Sequence, residues 1–168
     1  MNNLSASWDQ RTRKIAELVP RNSRVLEFGA GRRQLAKYLH PSCQYFASDL
    51  AGDPAQTLIC DLNRRPFPHF KPNEFDVAVF SGVLEYVRDL PGLAQWLSAC
   101  FPICIASYAC STSQPRTVRR LLESMSRMRH GWVSTYSEEE FQRPFDAAGF
   151  ACVRQVGWKE QKIFYFAG

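Results

Sequence analysis

Residues 24–39 read RVLEFGAGRRQLAKYL, and this stretch decides how the chain begins to fold. An apolar run over 25–28 meets Gly29 and Gly31, and a helical pattern follows over 32–39. A short apolar run that ends in glycine is typical of a buried strand in a parallel sheet. The two glycines permit a tight turn and a close approach of the backbone to a ligand, which side chains would block.

The rest of the chain alternates predicted strands with predicted helices. Six further strands are predicted at 43–48, 56–60, 75–80, 102–108, 151–158 and 162–168. Further helices are predicted at about 8–19, 83–88, 91–99, 115–129 and 137–149. Pro144 is expected to kink or break the last helix, and the short turn between the last two strands makes them antiparallel. We therefore predict an α/β fold with a mostly parallel sheet flanked by helices.

Length and composition indicate one globular domain over residues 1–168. The chain is 45% hydrophobic and 22% charged, and no repeat or change of composition marks a domain boundary. The N-terminus lacks the apolar core of a signal peptide, and the longest apolar stretch is about half a membrane span, so no membrane span is predicted. The six cysteines have neither C-x-x-C spacing nor flanking histidines. They are interpreted as reduced, buried thiols of a cytoplasmic protein without a metal site.

The chain is basic, with a formal net charge of +5 and with arginine as 16 of its 21 basic residues. The helix predicted at 115–129 carries arginines on one face and apolar residues on the other. The arginines are Arg116, Arg119 and Arg120, and the apolar residues are Val118, Leu121, Leu122 and Met125. The arginine face is interpreted as solvated, with an acidic substrate or RNA as the alternative. Because no aromatic residues alternate with the arginines, nucleic acid is the lesser alternative.

Polar residues stand at four predicted strand ends, and parallel strands bring such ends to one edge of a sheet. These residues are Glu27, Asp49, Asp61 and Ser81. Asp49 follows Gly29 by 20 residues, a spacing from which an acid accepts hydrogen bonds from ribose hydroxyls. This spacing favours a nucleoside ligand.

The glycine loop does not suit a phosphate-bearing nucleotide. A dinucleotide site has the pattern G-x-G-x-x-G, but Gln34 occupies its last position here, and no Walker loop is present. Glu27 would also repel a pyrophosphate inside a crevice of low dielectric constant. S-adenosylmethionine has no phosphate and carries a positive sulfonium and an ammonium group, so an acid before the loop favours this ligand.

Five motifs in this order resemble those of class I S-adenosylmethionine-dependent methyltransferases over about residues 23–167. They are VLEFGAGRR at 25–33, ASDL at 47–50, CDLN at 60–63, FDVAVFSGVLEYV at 75–87 and YSEEEFQRPFDAAGF at 136–150. The resemblance implies a Rossmann-like sheet of seven strands, of which the last inserts antiparallel. It also implies two further segments of the domain. Residues 1–22 form an N-terminal helical segment, and residues 111–136 form a substrate-binding insertion.

The resemblance further implies which residues bind the cofactor. Those around its methionine part are Glu27, Gly29, Ala30 and Gly31. Those at the ribose are Asp49 and Leu50, those at the adenine are Asp61 and Leu62, and those near the sulfonium are Ser81 and Gly82. Arg33 departs from the family, which commonly has a third glycine there. Its side chain is expected to point into solvent, with a nearby anion as the alternative.

Methyl transfer is an in-line displacement that requires alignment of the acceptor with the methyl group, and some acceptors must also lose a proton. The candidate catalytic residues are His130, Tyr108 and Glu85. Each has a purely structural alternative. His130 suits a solvated helix end, Tyr108 suits core packing, and Glu85 suits the solvated first turn of a helix.

We therefore predict a cytoplasmic methyltransferase that uses S-adenosylmethionine. Its expected acceptor is a small molecule, such as a sugar, a lipid-linked compound or a secondary metabolite. One alternative is a methyltransferase that acts on RNA or protein, and another is a relative that binds S-adenosylmethionine without turnover. A dehydrogenase is the least favoured of the alternatives.

Overall fold

A seven-stranded sheet forms the centre of the molecule. The computed structural model describes residues 2–112, 117–129 and 131–168, with side chains from residue 9 onward. The strands are β1 (Arg24–Phe28), β2 (Gln44–Asp49), β3 (Thr57–Ile59), β4 (Val77–Ser81), β5 (Ile103–Tyr108), β6 (Ala151–Trp158) and β7 (Gln161–Ala167). Their order is β3-β2-β1-β4-β5-β7-β6. Strands β1 to β5 pair in parallel, whereas β7 pairs antiparallel with β5 and β6, which confirms the predicted fold class.

Helices cover both faces of the sheet. They are α1 (Asn2–Leu18), α2 (Leu90–Cys100) and α4 (Glu138–Ala147), whereas the further helix α3 (Val118–Met128) contributes to neither core cluster. Helix α1 buries Ile15 against Val25 and Val79 on one face. On the other face, α2 and α4 pack against aromatic side chains of the strands, and Phe28 stacks on Phe80 with ring centroids 4.9 Å apart. Burial of these apolar side chains on both faces is the main source of the sheet's stability.

The N-termini of α2 and α4 follow from local sequence. Asp89 caps α2 by accepting a hydrogen bond from the Gly92 N–H. Ser137 and Glu140 form the predicted capping box at α4, in which each side chain accepts from the other residue's backbone N–H. Helix α4 runs through Pro144 without a break. Of the predicted kink or break, the break was therefore wrong, and the kink stays a prediction.

The helix predicted at 32–39 was wrong, because the chain forms only a 3₁₀ turn over Leu35–Lys37. Gly31 and Arg33 both have left-handed backbone conformations, with φ of +48° and +54°. A right-handed helix cannot include residues with this backbone conformation, so the predicted helix cannot begin at residue 32. The residues between Arg33 and β2 form only the 3₁₀ turn. The helix predicted at 83–88 is likewise a 3₁₀ turn, Leu84–Tyr86, which ends where Val87 becomes extended.

The orientation predicted for α3 was also wrong. Its arginines Arg120 and Arg127 are largely buried against the rest of the protein, whereas its apolar residues Leu121 and Leu122 are 60% and 61% exposed. Amphipathic helices normally place the apolar side inward. Hydrogen bonds and ion pairs of Arg120 and Arg127 hold the arginine side of this helix inward.

All six cysteines are unpaired, and the interpretation of buried thiols was right for only two of them. Cys60 and Cys104 are buried, and the others are partly exposed. No helix in the described part of the chain is both long and apolar enough to cross a membrane.

Candidate functional site

The loops that follow β1 and β4 meet at the point where the strand order reverses. This is the position at which open α/β sheets bind their ligands. Gly29, with φ of +64°, packs so closely on the β4 loop that a Cβ atom would lie 2.5 Å from Cγ2 of Val83. A Cβ on Gly31 would meet nothing within 4 Å. Gly29 is therefore required by packing inside the protein, whereas Gly31 leaves open space beside the loop.

Asp49 connects the glycine loop to the end of β2. One of its carboxylate oxygens accepts from the Gly31 N–H at 2.7 Å, and the other accepts from the Leu50 N–H at 2.7 Å. The Ala30 N–H donates to the carbonyl of Ser48 at 3.0 Å and holds the loop against β2. A carboxylate has about four lone-pair sites, so two remain for hydroxyl donors. The carboxylate predicted to hold a ribose is thus fixed in orientation and has spare accepting capacity.

A cavity of about 220 Å³ opens beside this junction. Its lining includes six of the predicted cofactor residues, which are Gly29, Asp49, Leu50, Asp61, Leu62 and Gly82. The structure adds Phe28, Cys60, Asn63, Val83, Tyr86 and Val87, none of which was predicted. The cavity therefore combines apolar walls with the carboxylates of Asp49 and Asp61, a lining that suits a small polar ligand.

A larger cavity, of about 600 Å³, lies at the outer edge of the sheet beside β3. Its lining includes Arg33 but not Gly29, Gly31 or Asp49. We assign the ligand site to the smaller cavity because the carboxyl ends of the central strands converge there.

Asn63 connects the Asp61 side of the cavity to the 3₁₀ turn after β4. Its amide donates to the carbonyl of Tyr86 at 2.9 Å and accepts from the Arg88 N–H at 2.9 Å. Asp61 accepts from the Asn63 N–H at 2.9 Å and pairs with Arg64 at 3.2 Å. The sequence motif CDLN contains Asn63, but only the fold shows that its side chain reaches a loop more than twenty residues away.

Glu27 is buried directly below the glycine loop. It is 4% exposed, and its carboxylate accepts a hydrogen bond from the Tyr45 hydroxyl at 2.6 Å. Burial raises its pKa to about 7, and the Tyr45 hydrogen bond and the charge of Arg11 only partly offset this effect. The residue does not line the cavity.

Arg11, a residue that sequence reasoning missed, reaches from α1 to the loop after β4. Its guanidinium donates to the side-chain oxygen of Gln161 at 3.0 Å and to the carbonyl of Ser81 at 3.2 Å. A Cβ on Gly82 would lie 2.6 Å from its Nη1. The Arg11 side chain is 8% exposed, and its Nε has no hydrogen-bond partner among the described residues. The buried Nε therefore keeps an unused donor, and Arg11, like Glu27, is not among the residues that line the cavity.

A sequence signal for Arg11 did exist. It lies four residues before Ile15, a core residue of α1, and therefore on the buried face of that helix. No described carboxylate is within ion-pair distance of Arg11, although Glu27 and Glu85 are close enough to raise its pKa against the lowering effect of burial.

Two of the predicted catalytic residues, Glu85 and Tyr108, do not line the cavity. Glu85 is 1% exposed, accepts from the Ala109 N–H at 3.2 Å, and has its pKa raised by burial. Its alternative as a solvated first-turn acid was therefore wrong. Tyr108 is fully buried, stacks on Phe141, and has its pKa raised by burial to about 12. His130 lies outside the described residues, and all three catalytic roles stay predictions.

Ser81 and Arg33 complete the predicted set. The Ser81 hydroxyl is buried behind the Gly82 loop and has no hydrogen-bond partner among the described residues. Arg33 turns away from the cavity and donates to Thr57 Oγ1 at 2.7 Å and to the Gln56 carbonyl at 3.2 Å. It therefore joins the glycine loop to β3, rather than extending into solvent or reaching the ligand cavity.

Comparisons with known proteins agree with this geometry. Residues 2–155 match a family profile described as a methyltransferase domain. A search of curated proteins finds no match. CalO1, a methyltransferase in calicheamicin biosynthesis solved in its SAH-bound form, superposes with a TM-score of 0.70 at 17% identity, covering 98% of this chain and 54% of that one.

Two further structures have the same fold. Human N-acetylserotonin methyltransferase in complex with SAM gives a TM-score of 0.69 at 14% identity, covering 98% of this chain and 52% of that one. An S-adenosylmethionine-dependent methyltransferase from Mesorhizobium loti gives 0.69 at 15% identity, covering 99% of this chain and 100% of that one. The chain thus spans about half the length of CalO1 and of the human protein.

Proposed function

The chain belongs to the methyltransferase-domain family, and from that premise we propose that it transfers a methyl group from S-adenosylmethionine to a small-molecule acceptor. The observation that carries this proposal is the junction of Asp49 with Gly31 beside a cavity at the reversal of strand order. The residues present fit the cofactor. Open space lies beside Gly31, Asp49 has spare acceptors for the ribose, and Asp61 lies at the adenine side.

The protein's own groups then have distinct tasks. When bound, S-adenosylmethionine supplies a methyl group activated by its positive sulfur. Asp49 holds the ribose and thereby fixes the position of the cofactor relative to the loop after β4. Glu27 stabilises the cofactor's ammonium group through its negative charge. Such positioning is worth roughly 7–11 kcal/mol of the barrier when the reacting atoms are aligned.

We propose that Arg11 binds the cofactor's carboxylate. Its guanidinium is held beside Ser81 and Gly82 by Gln161, and its Nε has no described partner. Hydrogen bonds between charged partners are worth about 1.5–3 kcal/mol, more than bonds between neutral groups. The methionine part of the cofactor would then lie between the carboxylate of Glu27, below the glycine loop, and the guanidinium of Arg11, beside the β4 loop.

A small-molecule acceptor, methylated on oxygen, is supported by the neighbours in fold. CalO1 acts in calicheamicin biosynthesis, and another neighbour is a mitomycin 7-O-methyltransferase with a TM-score of 0.69 at 15% identity. The six unpaired cysteines support a reducing compartment, as in the cytoplasm. We propose the segment 111–136 as the part of this single domain that contacts the acceptor, because it joins the 3₁₀ turn of the cavity through the Val133 N–H and the Glu85 carbonyl at 2.8 Å.

S-adenosylhomocysteine is expected to stabilise the protein against heat, and NAD is not. At about 100 times its dissociation constant, a ligand adds about 2.7 kcal/mol, which raises the Tm of a domain of this size by about 5 °C or more. Differential scanning fluorimetry with each ligand measures this shift. An equal shift with NAD would favour a dehydrogenase, and no shift with either ligand would contradict the proposed site.

An acceptor screen with labelled methyl donor then tests the reaction itself. Label recovered in a small molecule supports the proposed function, whereas label recovered only in RNA or protein would replace it with the alternative acceptor class. Binding of S-adenosylhomocysteine without label transfer to any acceptor would favour the relative that binds without turnover.

Arg11→Met is expected to weaken S-adenosylhomocysteine binding at least about tenfold and to change adenosine binding by less than about twofold, because only the first ligand has a carboxylate. Isothermal titration calorimetry with the two ligands measures the difference. Arg13→Met is the matched control, since Arg13 lies on the same helix and contacts the Tyr38 ring instead of the site. An equal loss for both ligands would show that Arg11 supports only the fold.

A further inference from the structure

Helix α3 is attached to the protein by its charged side. Arg120 donates to the carbonyl of Thr135 and forms an ion pair with Glu140. Arg127 donates to the carbonyl of Ala109 and forms an ion pair with Glu123 at 2.6 Å. The two arginine side chains are only 11% and 12% exposed. These partners fix which side of the helix faces the body of the protein.

The opposite side of α3 presents a continuous apolar surface to solvent. No residue of the helix is fully buried. The apolar side chains, with their exposed fractions, are Val118 74%, Leu121 60%, Leu122 61%, Met125 46% and Met128 57%. Their spacing of three or four residues places them on one face. We call these five residues the α3 apolar face.

An exposed surface of this kind signals a partner. Single exposed apolar residues are ordinary, but five on one helix face form a contiguous patch of the kind that marks an interaction site. The helix could bury the patch by rotating about its axis, but the ion pairs of Arg120 and Arg127 hold it outward. The fold thus maintains the exposure of the α3 apolar face.

The charge around this face identifies the chemistry of the partner. Segment 111–136 contains five arginines and one glutamate, a formal charge of +4, which the ion pair of Arg120 with Glu140 reduces to +3. Arg119 and Arg129 are exposed beside the apolar face. A helix with an apolar face flanked by arginines lies in the interface of a membrane and is attracted by anionic lipids.

From these observations we propose that the α3 apolar face inserts into the surface of an anionic lipid bilayer, with Arg119 and Arg129 at the level of the headgroups. The helix lies on the membrane and does not cross it. The proposal concerns lipid binding and holds independently of the reaction assigned to the cavity.

A second copy of the chain is a poorer occupant. Eleven residues of helix are about 16 Å long at 1.5 Å per residue, and a stable interface needs about 800 Å² from each partner. A symmetric contact through α3 would also bring two segments of net charge +3 together. An anionic bilayer satisfies both the apolar face and the positive charge.

The position of α3 would bring the cavity near the lipid. Trp132, which follows α3, donates from its indole to the Tyr86 hydroxyl at 3.2 Å, and Tyr86 lines the cavity. The Arg127 guanidinium lies over the Trp132 ring, 5.3 Å from its centroid. The end of α3 is therefore joined directly to the wall of the site.

Vesicle co-sedimentation of the full chain tests the proposal. Vesicles of phosphatidylcholine mixed with phosphatidylglycerol are expected to bind the protein at least about tenfold more strongly than vesicles of phosphatidylcholine alone, with loss of binding at high salt. Leu121→Ser combined with Leu122→Ser is expected to reduce binding at least about tenfold, and Arg119→Gln about fivefold. Val153→Ser, which changes an apolar residue of β6 that is 60% exposed, is the matched control and is expected to bind as the wild type does.

Two outcomes would overturn the proposal. One is failure of the wild type to bind anionic vesicles at low salt, and the other is equal binding by the double leucine variant. Sedimentation velocity without lipid gives the further test of a dimer, since a dimer that the double variant abolishes would assign the face to a second copy. Thermal stabilisation of each variant by S-adenosylhomocysteine shows that its fold and cofactor site are intact. Loss of lipid binding is thereby distinguished from failure of the proposed function, in which S-adenosylhomocysteine would not stabilise even the wild type.

Discussion

Replacing Glu27 with glutamine is expected to stabilise the ligand-free protein by about 3 kcal/mol at pH 8 and by less than about 1 kcal/mol at pH 5. The reason is that burial raises the pKa of Glu27 from 4.5 to about 7. Between these values the unfolded chain has released the proton and the folded chain still holds it. Stability of the wild type therefore falls as pH rises through this range, and glutamine removes the dependence.

The same substitution is expected to weaken binding of S-adenosylmethionine about tenfold at pH 8. A bound ammonium group favours the ionised form of Glu27, so wild-type affinity should rise as pH increases through about 7, whereas the variant's affinity should stay level. Urea denaturation and calorimetry over pH 5–8 measure the two effects. Tyr45→Phe is the companion variant, because it removes the hydrogen bond to Glu27 without removing the carboxylate.

A Glu27 that serves only as a hydrogen-bond acceptor would behave differently. Glutamine would then leave stability and affinity with the same pH dependence as in the wild type. Destabilisation of the glutamine variant by the same amount at pH 5 and pH 8 would contradict the assignment of a charged role below the glycine loop.

Asp49→Ala is expected to weaken S-adenosylhomocysteine at least about 100-fold, which corresponds to about 2.7 kcal/mol. The carboxylate both orients the loop through the Gly31 N–H and offers its remaining lone pairs to the ribose, and bonds to a charged acceptor are worth about 1.5–3 kcal/mol each. Calorimetry well below the Tm of the variant measures the affinity. The loss should be similar for adenosine, because that ligand has the same ribose.

Asp146→Ala is the matched control for this change. Asp146 is an exposed acid of α4, outside the cavity lining, so its removal changes the net charge by the same amount. A loss of less than about threefold in Asp49→Ala would refute the ribose assignment. Asp49→Asn further separates charge from shape, because the amide can accept hydrogen bonds with only one of its two polar atoms.

Elements whose identity depends on near neighbours in sequence were predictable. The strands β1 and β6 begin and end at the predicted residues, because each apolar or alternating run is bounded by turn residues. The capping box of Ser137 was also predictable, since its partner lies three residues away. The helix after the glycine loop was not, because its apolar spacing predicts a helix while the left-handed backbone at Arg33 prevents one.

The nucleoside site was partly predictable for the same reason. The spacing of Gly29, Gly31 and Asp49 along the chain predicts a glycine loop beside a ribose-binding carboxylate. In the fold, the Asp49 carboxylate accepts a hydrogen bond from the Gly31 N–H. The surroundings of the candidate catalytic residues were not predictable, because a histidine, tyrosine or glutamate near a strand end has no local signature of burial. The structure shows that Tyr108 and Glu85 are buried and held by neighbours from other elements.

By itself, the sequence determined a parallel sheet, a glycine turn after β1 and an acid after β2, because these features follow from residues that are close along the chain. Only the tertiary structure decided that Arg11 reaches the loop after β4 and that α3 presents its apolar side to solvent. Both depend on partners far away in sequence, with Gln161 and Ser81 around Arg11 and with Glu140 and Ala109 around α3. Periodicity shows that a helix has two faces, but the charges and carbonyls that it meets in the fold determine which face turns inward.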